Sequence, residues 1–580
     1  MSAGCASLEI CEPVPLDVET AAEVARADPE PAFAGTESGN LTAAEQHLIV
    51  AAHPLAAEAG LEILRAGGSA VDATIAAQLV LNLVEPQSSG IGGGGFLLHF
   101  DATSGTTLAY DGRETAPMGA SENLFLDDAG NPLDFHVAVE SGRSVGVPGL
   151  LAMLELAHSE HGTLSWQQLF ASAISLAERG FAVTPRLHNL LVEYEAEHWS
   201  PAAREYFYPD GGAVPVGDWL RNPAFADTLR WIATGGANVF YRGEIAEAIV
   251  AAASDEPLPG VLGDADLAAY IAFAKPPVCG TYRSYRVCGM GPPSSGGIAT
   301  LQILGMLEEF DMKAYRPNDP DALHLFAEAS RLAFADRALY LADDRFLPVP
   351  TTGLLDPPYL ESRADMISRR CSMGTAEAGT PPGALMLAQP TPQIEPSGTS
   401  HISVVDSAGN AVSLTSSIET AFGSRRWAAD FLLNNQMTDF QFQPRDDAGR
   451  PVANRIEPGK RPRSSMAPTL VFDRDGDLYA VLGSPGGSRI IGYVAQSLIG
   501  MLDWQLGPQQ AVALPHLTNR NGATDLESAT GLAAFAPDLA ARGHEIRLVP
   551  MASGLHAILV ADDTLLGAAD PRREGVALGD

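Results

Sequence analysis

Apolar positions three and four apart predict helices over Leu55–Ala66, Ala70–Leu83, Val147–His161, Ser165–Arg179, Ala322–Tyr340 and Gly492–Asp503. Strand-like runs fall at Phe96–Phe100, His401–Val405, Ala411–Thr415, Thr469–Phe472 and Leu478–Leu482. Helices and strand hairpins are segregated rather than strictly alternating, which predicts an α+β layered arrangement and not a parallel doubly wound sheet. The apolar run from Val71 to Val84 is broken by Asp72, Gln78 and Asn82, so it reads as a buried helix rather than a membrane span.

One hairpin carries the first chemical clue. Ile402 and Val404 alternate with His401, Ser403 and Val405, a turn follows at Asp406-Ser407-Ala408-Gly409-Asn410, and Ala411 to Thr415 returns. Thr399 stands at the edge of this hairpin, directly after Gly398. A threonine hydroxyl is a poor nucleophile at neutral pH unless a base lies beside it, and a free α-amine on the same residue is one solution. That amine exists only once the 398–399 bond is cut. Gly398 suits such a cut, because a residue without Cβ permits close approach to its carbonyl. Taken alone, the segment also fits an ordinary solvent-facing strand threonine.

Further motifs lie along the chain in a definite order. They are Ala66-Gly67-Gly68-Ser69-Ala70-Val71-Asp72-Ala73, Glu85-Pro86-Gln87-Ser88-Ser89-Gly90-Ile91-Gly92-Gly93-Gly94-Gly95-Phe96 and Asp111-Gly112-Arg113-Glu114-Thr115-Ala116-Pro117. In the second half stand Leu432 to Phe440 (LLNNQMTDF), Lys460-Arg461-Pro462-Arg463-Ser464-Ser465-Met466 and Gly483-Ser484-Pro485-Gly486-Gly487-Ser488-Arg489. With these motifs the chain resembles the γ-glutamyltranspeptidase family of N-terminal-nucleophile hydrolases over about residues 45 to 575. The resemblance implies a four-layer αββα sandwich. It also implies a precursor that cleaves itself into a large subunit, 43–398, and a small subunit, 399–580, which remain together as a heterodimer.

The implied activity is a γ-glutamyltransferase and glutathione hydrolase working through a γ-glutamyl-threonine acyl-enzyme, with water, amino acids or peptides as acceptors and no cofactor or metal. A γ-glutamyl donor presents an α-carboxylate, an α-ammonium and a side-chain carbonyl. Thr399 is then the nucleophile, and Ser417 holds its amine where many members have threonine. Gly486 and Gly487 aim backbone amides at the oxyanion. Arg113 clamps the carboxylate, a task that suits a planar guanidinium, with help from the Ser464 and Ser465 hydroxyls. Asp439 receives the ammonium, with Gln436 and Glu419 as neighbouring acceptors. Some members have Asn at position 419; a carboxylate there lies near Asp439, so one of the two is expected to titrate upward. The segment from Gln441 to Gly459 contains no tyrosine, which leaves open whether a lid closes over the site. Read singly, Arg113 also fits a surface ion pair, Asp439 a cap and the glycine pair a plain turn.

Composition narrows the partners. A net charge of −35 argues against nucleic acid and anionic membrane surfaces, and 46% hydrophobic residues provide for a large core. Residues 1–42 carry eight acidic side chains against one basic, Arg26, and read as a disordered, solvated tail. Its start, Ser2-Ala3-Gly4-Cys5, looks like the end of a bacterial lipoprotein signal whose preceding regions are missing, so a periplasmic protein anchored through Cys5 is expected, with a cytoplasmic one as the alternative. A two-residue turn at Arg283-Ser284 sets Cys279 opposite Cys288, where either a disulfide or two reduced thiols fit. Cys371 is expected to stand alone, without a catalytic role.

Two other patterns are set aside. Gly90-x-Gly92-x-x-Gly95 spells a dinucleotide fingerprint but follows a helix and precedes a strand, the reverse of the order phosphate binding needs. His158 and His161 share a helix face, but Gly162 closes that helix, histidines suit its C-terminus, and no third metal ligand is evident. Two rival functions remain: an amidase of the cephalosporin or glutaryl acylase type on the same scaffold, and an unprocessed, non-enzymatic secreted or lipid-anchored binding protein.

Overall fold

The computed structural model describes residues 11–15, 41–194, 199–385, 387 and 398–580. Two seven-stranded antiparallel sheets stack face to face, and helices cover the outside of each, giving the expected αββα layers. One sheet runs Val576–Gly579, Leu48–Ala51, Ser400–Val405, Ala411–Ser417, Gly94–Asp101, Thr106–Gly112, Phe273–Lys275. The other runs Thr42–Ala44, Thr564–Ala569, His556–Ala561, Leu478–Gly483, Thr469–Phe472, Tyr285–Gly289, Val278–Tyr282.

The alternation of the central hairpin explains how it is sandwiched. Ile402, Val404, Val412 and Leu414 point to the helical layer, whereas Val405, with Leu48, Val50, Phe96 and Leu98 of neighbouring strands, points to the second sheet. Each such apolar side chain contributes about 1.5–3 kcal/mol on full burial. Between the sheets the hairpin also carries polar groups, and these are partnered. His401 Nδ1 lies 2.8 Å from Thr415 Oγ1, its Nε2 lies 3.1 Å from Ser403 Oγ, and His556 Nδ1 donates to the His401 carbonyl at 2.7 Å. Burial drives His401 well below the usual imidazole range and His556 down to about 4, so both are neutral spacers in the core.

Pairing runs from Ser400 opposite Ser416 to Val405 opposite Ala411. The turn is held by Asp406, whose carboxylate accepts from the Ala408 and Asn410 amides at 2.9 and 3.0 Å. On its other side Ser400–Val405 pairs with Leu48–Ala51, so Thr399 enters a central strand of the sheet.

The helix Ala70–Val84 is buried along its whole length. Ser69 and Asp72 close its start as a capping box. Its interior polar residues reach out to the loops that frame the hairpin. Gln78 accepts from Ser416 Oγ at 2.6 Å and donates to Ser89 Oγ at 3.2 Å, while Asn82 Oδ1 accepts the Ile91 amide at 2.7 Å. The glycine run after this helix leads into the strand Gly94–Asp101, which confirms the helix-to-strand order. Gly162 caps Leu150–His161, and His161 stacks on His99 at 3.8 Å and hydrogen bonds the Tyr110 hydroxyl at 2.7 Å. Among the described residues no helix is long and apolar enough to cross a membrane.

Two expectations change at the N-terminal side. Cys371 does not stand alone but forms a disulfide with Cys11, and the Val14 amide donates to the Ala540 carbonyl at 3.1 Å. This part of the tail is therefore tied to the body; Cys5 lies outside the described residues. The predicted hairpin register holds, with Tyr282 opposite Tyr285 and Cys279 opposite Cys288, and the latter pair is a disulfide. Reducing the denatured protein is expected to raise its thiol count by four, two for each bridge; a rise of two would leave one bridge unmade.

Candidate active site

Thr399 is buried, with 3% of its surface exposed. Its hydroxyl donates to the carbonyl of Gly398 and lies 3.3 Å from Ser417 Oγ. Ser417 Oγ donates to the same Gly398 carbonyl at 2.6 Å and accepts the Glu419 amide at 2.8 Å. The peptide group before Thr399 is thus gripped by two hydroxyls. A Cβ on residue 398 would come within 2.2 Å of the Glu419 carbonyl, so only glycine fits there without movement of the main chain. From the far side Arg573 donates to the Thr399 carbonyl at 3.1 Å.

The predicted recognition residues converge on the same pocket, which Thr399, Ser417, Glu419, Gln436, Asp439, Ser464, Ser465, Arg113 and Gly487 all line. Arg113 is not on the surface, since 1% of it is exposed. Its guanidinium donates to the carbonyls of Pro462 at 3.2 Å and Arg463 at 3.0 Å, and pairs directly with the Asp439 carboxylate. Gln436 Nε2 donates to Asp439 at 2.7 Å. Because a carboxylate only accepts, this contact fixes the amide's orientation, and Gln436 Oε1 is left buried with no hydrogen-bond donor among the described residues. An acceptor of that kind beside Asp439 suits an ammonium ligand.

Glu419 adopts a left-handed backbone (φ 83°), and its carboxylate accepts from Asn435 Nδ2. Burial first, and the Asp439 carboxylate second, hold its carboxyl well above the usual range. Of the two carboxyl groups expected to compete, Glu419 is thus one that titrates upward. Gly486 (φ 132°) and Gly487 (φ 56°) form the turn that opens the helical stretch running through Gly487–Arg489 into Ile490–Leu502. Gly487 faces the pocket, while a Cβ on Gly486 would meet the Tyr493 ring at 2.6 Å. A helix start with glycine amides is suited to hold negative charge.

His324, Glu328 and His544 cluster elsewhere in the core, where the two histidines share one hydrogen-bond chain and Glu328 has partners of its own. His324 Nε2 lies 2.8 Å from the Ser368 carbonyl and must donate to it, so its Nδ1 accepts from His544 Nε2 at 2.7 Å. His544 Nδ1 then accepts from Thr524 Oγ1 at 3.0 Å. Glu328 is occupied by Arg331, Ser372 and the Met373 amide.

The profile of the family described as Gamma-glutamyltranspeptidase matches residues 56–580. The chain belongs to the γ-glutamyltranspeptidase family. It is 38% identical to the glutathione hydrolase proenzyme of Escherichia coli (strain K12), covering 91% of each chain. It is also 35% identical to the acylase ACY 1 proenzyme of Pseudomonas sp. (strain V22), over 91% of this chain and 92% of the other. Among solved structures, cephalosporin acylase from Bacillus halodurans superposes with a TM-score of 0.82 at 27% identity, covering 94% of this chain and 98% of that one. This membership fixes the fold, while relatives named as hydrolases and as acylases leave the substrate to the pocket itself.

Within this family member the 441–459 segment is folded onto residues that precede Thr399 in the chain. Phe442 stacks on Phe125 at 4.5 Å, and Arg445 pairs with Glu122 at 3.0 and 3.1 Å. Asn454 braces the pocket from behind, donating to the Asp439 carbonyl at 2.7 Å and accepting the Arg463 amide at 2.9 Å. Sequence reasoning missed Arg337, Arg463 and Ser488, all of which line the pocket, and Arg573 behind Thr399. Arg463 and Ser488 lie inside motifs that point here; Arg337 and Arg573 carry no local signal.

Glu114, beside Arg113, is fully buried, and burial pushes its carboxyl up to about 8 against the opposing pull of Arg113. A raised carboxyl contributes its stability below the ordinary value near 4.5 and loses it as pH rises towards 8. Glu114→Gln has no such proton to lose. The melting temperature of the variant relative to the parent is therefore expected to rise between pH 4.5 and 8, and a pH-independent difference would contradict the assignment.

Proposed function

We propose that the chain is the precursor of a γ-glutamyl-transferring and glutathione-hydrolysing enzyme that cuts itself before Thr399. The reading is carried by one observation: a buried threonine with its preceding peptide gripped by two hydroxyls shares a pocket with a guanidinium, a carboxylate and an unpartnered amide oxygen.

Self-cleavage starts from the hydroxyl beside the Gly398 carbonyl. Thr399 Oγ bonds to the Gly398 carbonyl carbon, the carbon–nitrogen bond breaks, and the nitrogen takes the proton as a free amine. Water then hydrolyses the ester, leaving a Gly398 carboxylate and restoring the hydroxyl. Ser417 lies beside both groups and holds the new amine. In turnover the same Oγ attacks the γ-carbonyl of the donor, and the α-amine accepts its proton and passes it to the leaving amine. Gly486 and Gly487 hold the oxyanion. Water or an amino-acid amine releases the acyl group.

The Arg113–Asp439 pair explains the specificity. A γ-amide of glutamate brings a carboxylate and an ammonium on one carbon, so it replaces the internal ion pair by two new ones without leaving either charge buried alone. A glutaryl donor lacks the ammonium and would strand Asp439, which favours the γ-glutamyl reading over the acylase one. An unprocessed binding protein would have no need of a glycine at 398 packed against the Glu419 carbonyl.

After cleavage the subunits 43–398 and 399–580 would stay together. Small-chain strands Ser400–Val405 and Ala411–Ser417 lie between the large-chain strands Leu48–Ala51 and Gly94–Asp101. Cys11, Cys279, Cys288 and Cys371 all precede the 398–399 bond, so neither disulfide crosses it and denaturation without reductant is expected to release the 399–580 chain. Those disulfides support export to an oxidising compartment, the periplasm, with anchoring through Cys5 as part of the same proposal.

Thr399→Ala is expected to leave one uncleaved chain of 60.9 kDa without activity, by electrophoresis and anilide assay; a cleaved or active variant would overturn the reading. The parent is expected to release p-nitroaniline from the γ-glutamyl anilide at least tenfold faster than from the glutaryl anilide, and Asp439→Asn to narrow that ratio, as befits a buried charged contact of about 1.5–3 kcal/mol. A preference for the glutaryl donor would make the protein an acylase.

A further inference from the structure

Ser464 and Ser465 can serve a carboxylate only if their hydroxyl protons are free to be donated, and the surroundings of both oxygens bear on this. Ser464 Oγ accepts the Met466 amide at 3.1 Å. Ser465 Oγ accepts Arg337 Nη2 at 2.6 Å. An oxygen already accepting from an N–H directs its own proton elsewhere, and both residues line the pocket with Thr399.

Arg337 does more than touch Ser465. Its Nε donates to Ser295 Oγ at 2.8 Å, and the Ser295 hydroxyl donates to the Ser464 carbonyl at 2.6 Å. The Ser295 amide also donates to that carbonyl, at 2.8 Å. One guanidinium, 4% exposed and carried by the helix Pro320–Tyr340, thus fixes the Ser465 side chain directly and the Ser464 main chain through Ser295. It comes from the helical layer outside the second sheet, far in sequence from both serines. Its planar fork can serve both oxygens at once, which a lysine ammonium at the same place would not match.

We propose that Arg337 is a positioning residue for donor recognition: it holds the Ser464-Ser465 pair with both hydroxyl protons directed into the pocket, and its buried charge adds attraction for the carboxylate they meet. This rests on the γ-glutamyl reading above. The bonds of Arg337 to Ser295 and Ser465 place its effect on binding the donor's carboxylate rather than on the acyl-transfer step.

The test compares two donors that differ only in that group, γ-glutamyl p-nitroanilide and 4-aminobutyryl p-nitroanilide, the same amide without the α-carboxylate. For Arg337→Met, KM for the γ-glutamyl donor is expected to rise about tenfold or more with kcat within about twofold, as loss of one or two charge-assisted hydrogen bonds implies. KM for the 4-aminobutyryl donor is expected to stay within about twofold, and Arg337→Lys to restore little of the loss. Ser465→Ala added to Arg337→Met should cost less than it does in the parent, because the hydroxyl has already lost its orientation. An equal effect on both donors, or a fall in kcat at constant KM, would overturn the inference and leave Arg337 a structural residue. If Arg337→Met fails to yield processed protein, Ser295→Ala decides: a smaller rise confined to the γ-glutamyl donor supports the inference, and no change in donor preference refutes it. Failure of the parent to turn over the γ-glutamyl donor at all would instead sink the functional reading beneath it.

Discussion

The structure depends on the pairing of Ser400–Val405 with its two neighbours. Hydrogen bonds to Leu48–Ala51 on one side and Ala411–Ser417 on the other fix residue 400 in the middle of a buried sheet, and residue 399 can then occupy only one place. The same ladder delivers Ser417 to the Gly398 carbonyl, because Ser400 lies opposite Ser416. In the proposed reaction the base is an amine that does not exist until the chain is cut. Its position must therefore be set beforehand by main-chain bonds that survive the cut, and strand pairing from both prospective subunits provides them.

Charge in the pocket follows from the same economy. Arg113 and Glu419 are buried and Asp439 is partly buried, and unpaired ions are costly there. Arg113 and Asp439 neutralise one another, and burial beside Asp439 favours the protonated form of Glu419. A zwitterionic ligand can exchange itself for the internal pair at little electrostatic cost, whereas a singly charged one cannot. In the proposed function, recognition and resting-state stability thus use the same two side chains.

Much of this was legible in the sequence. The six predicted helices all appear, with Pro54–Arg65, Ala70–Val84, Leu150–His161, Pro320–Tyr340 and Ile490–Leu502 close to their expected bounds; only Ser165–Arg179 is divided, beginning as a 3-10 turn at Trp166–Phe170. The hairpin at 400–417 followed from alternation and its turn residues, and the register at 278–289 from turn length. Leu48–Ala51 was missed because both of its faces are covered, which erases the alternation that marks a strand. Val576–Gly579, His556–Ala561 and Thr564–Ala569 were also missed. At the site, residue chemistry and family resemblance pointed to Arg113, Asp439 and the glycines. They could not reveal Arg337 or Arg573, whose partners lie 128 and 174 residues away and whose local sequence is ordinary. The Cys11–Cys371 bridge, closed over 360 residues, was invisible for the same reason.

The most direct test of the central claim is the N-terminal residue of the smaller fragment in purified protein, read by sequencing or intact mass. A fragment of 182 residues (580 − 398) beginning at Thr399 is the predicted result. A single intact chain, or a fragment beginning at any other residue, would contradict the account.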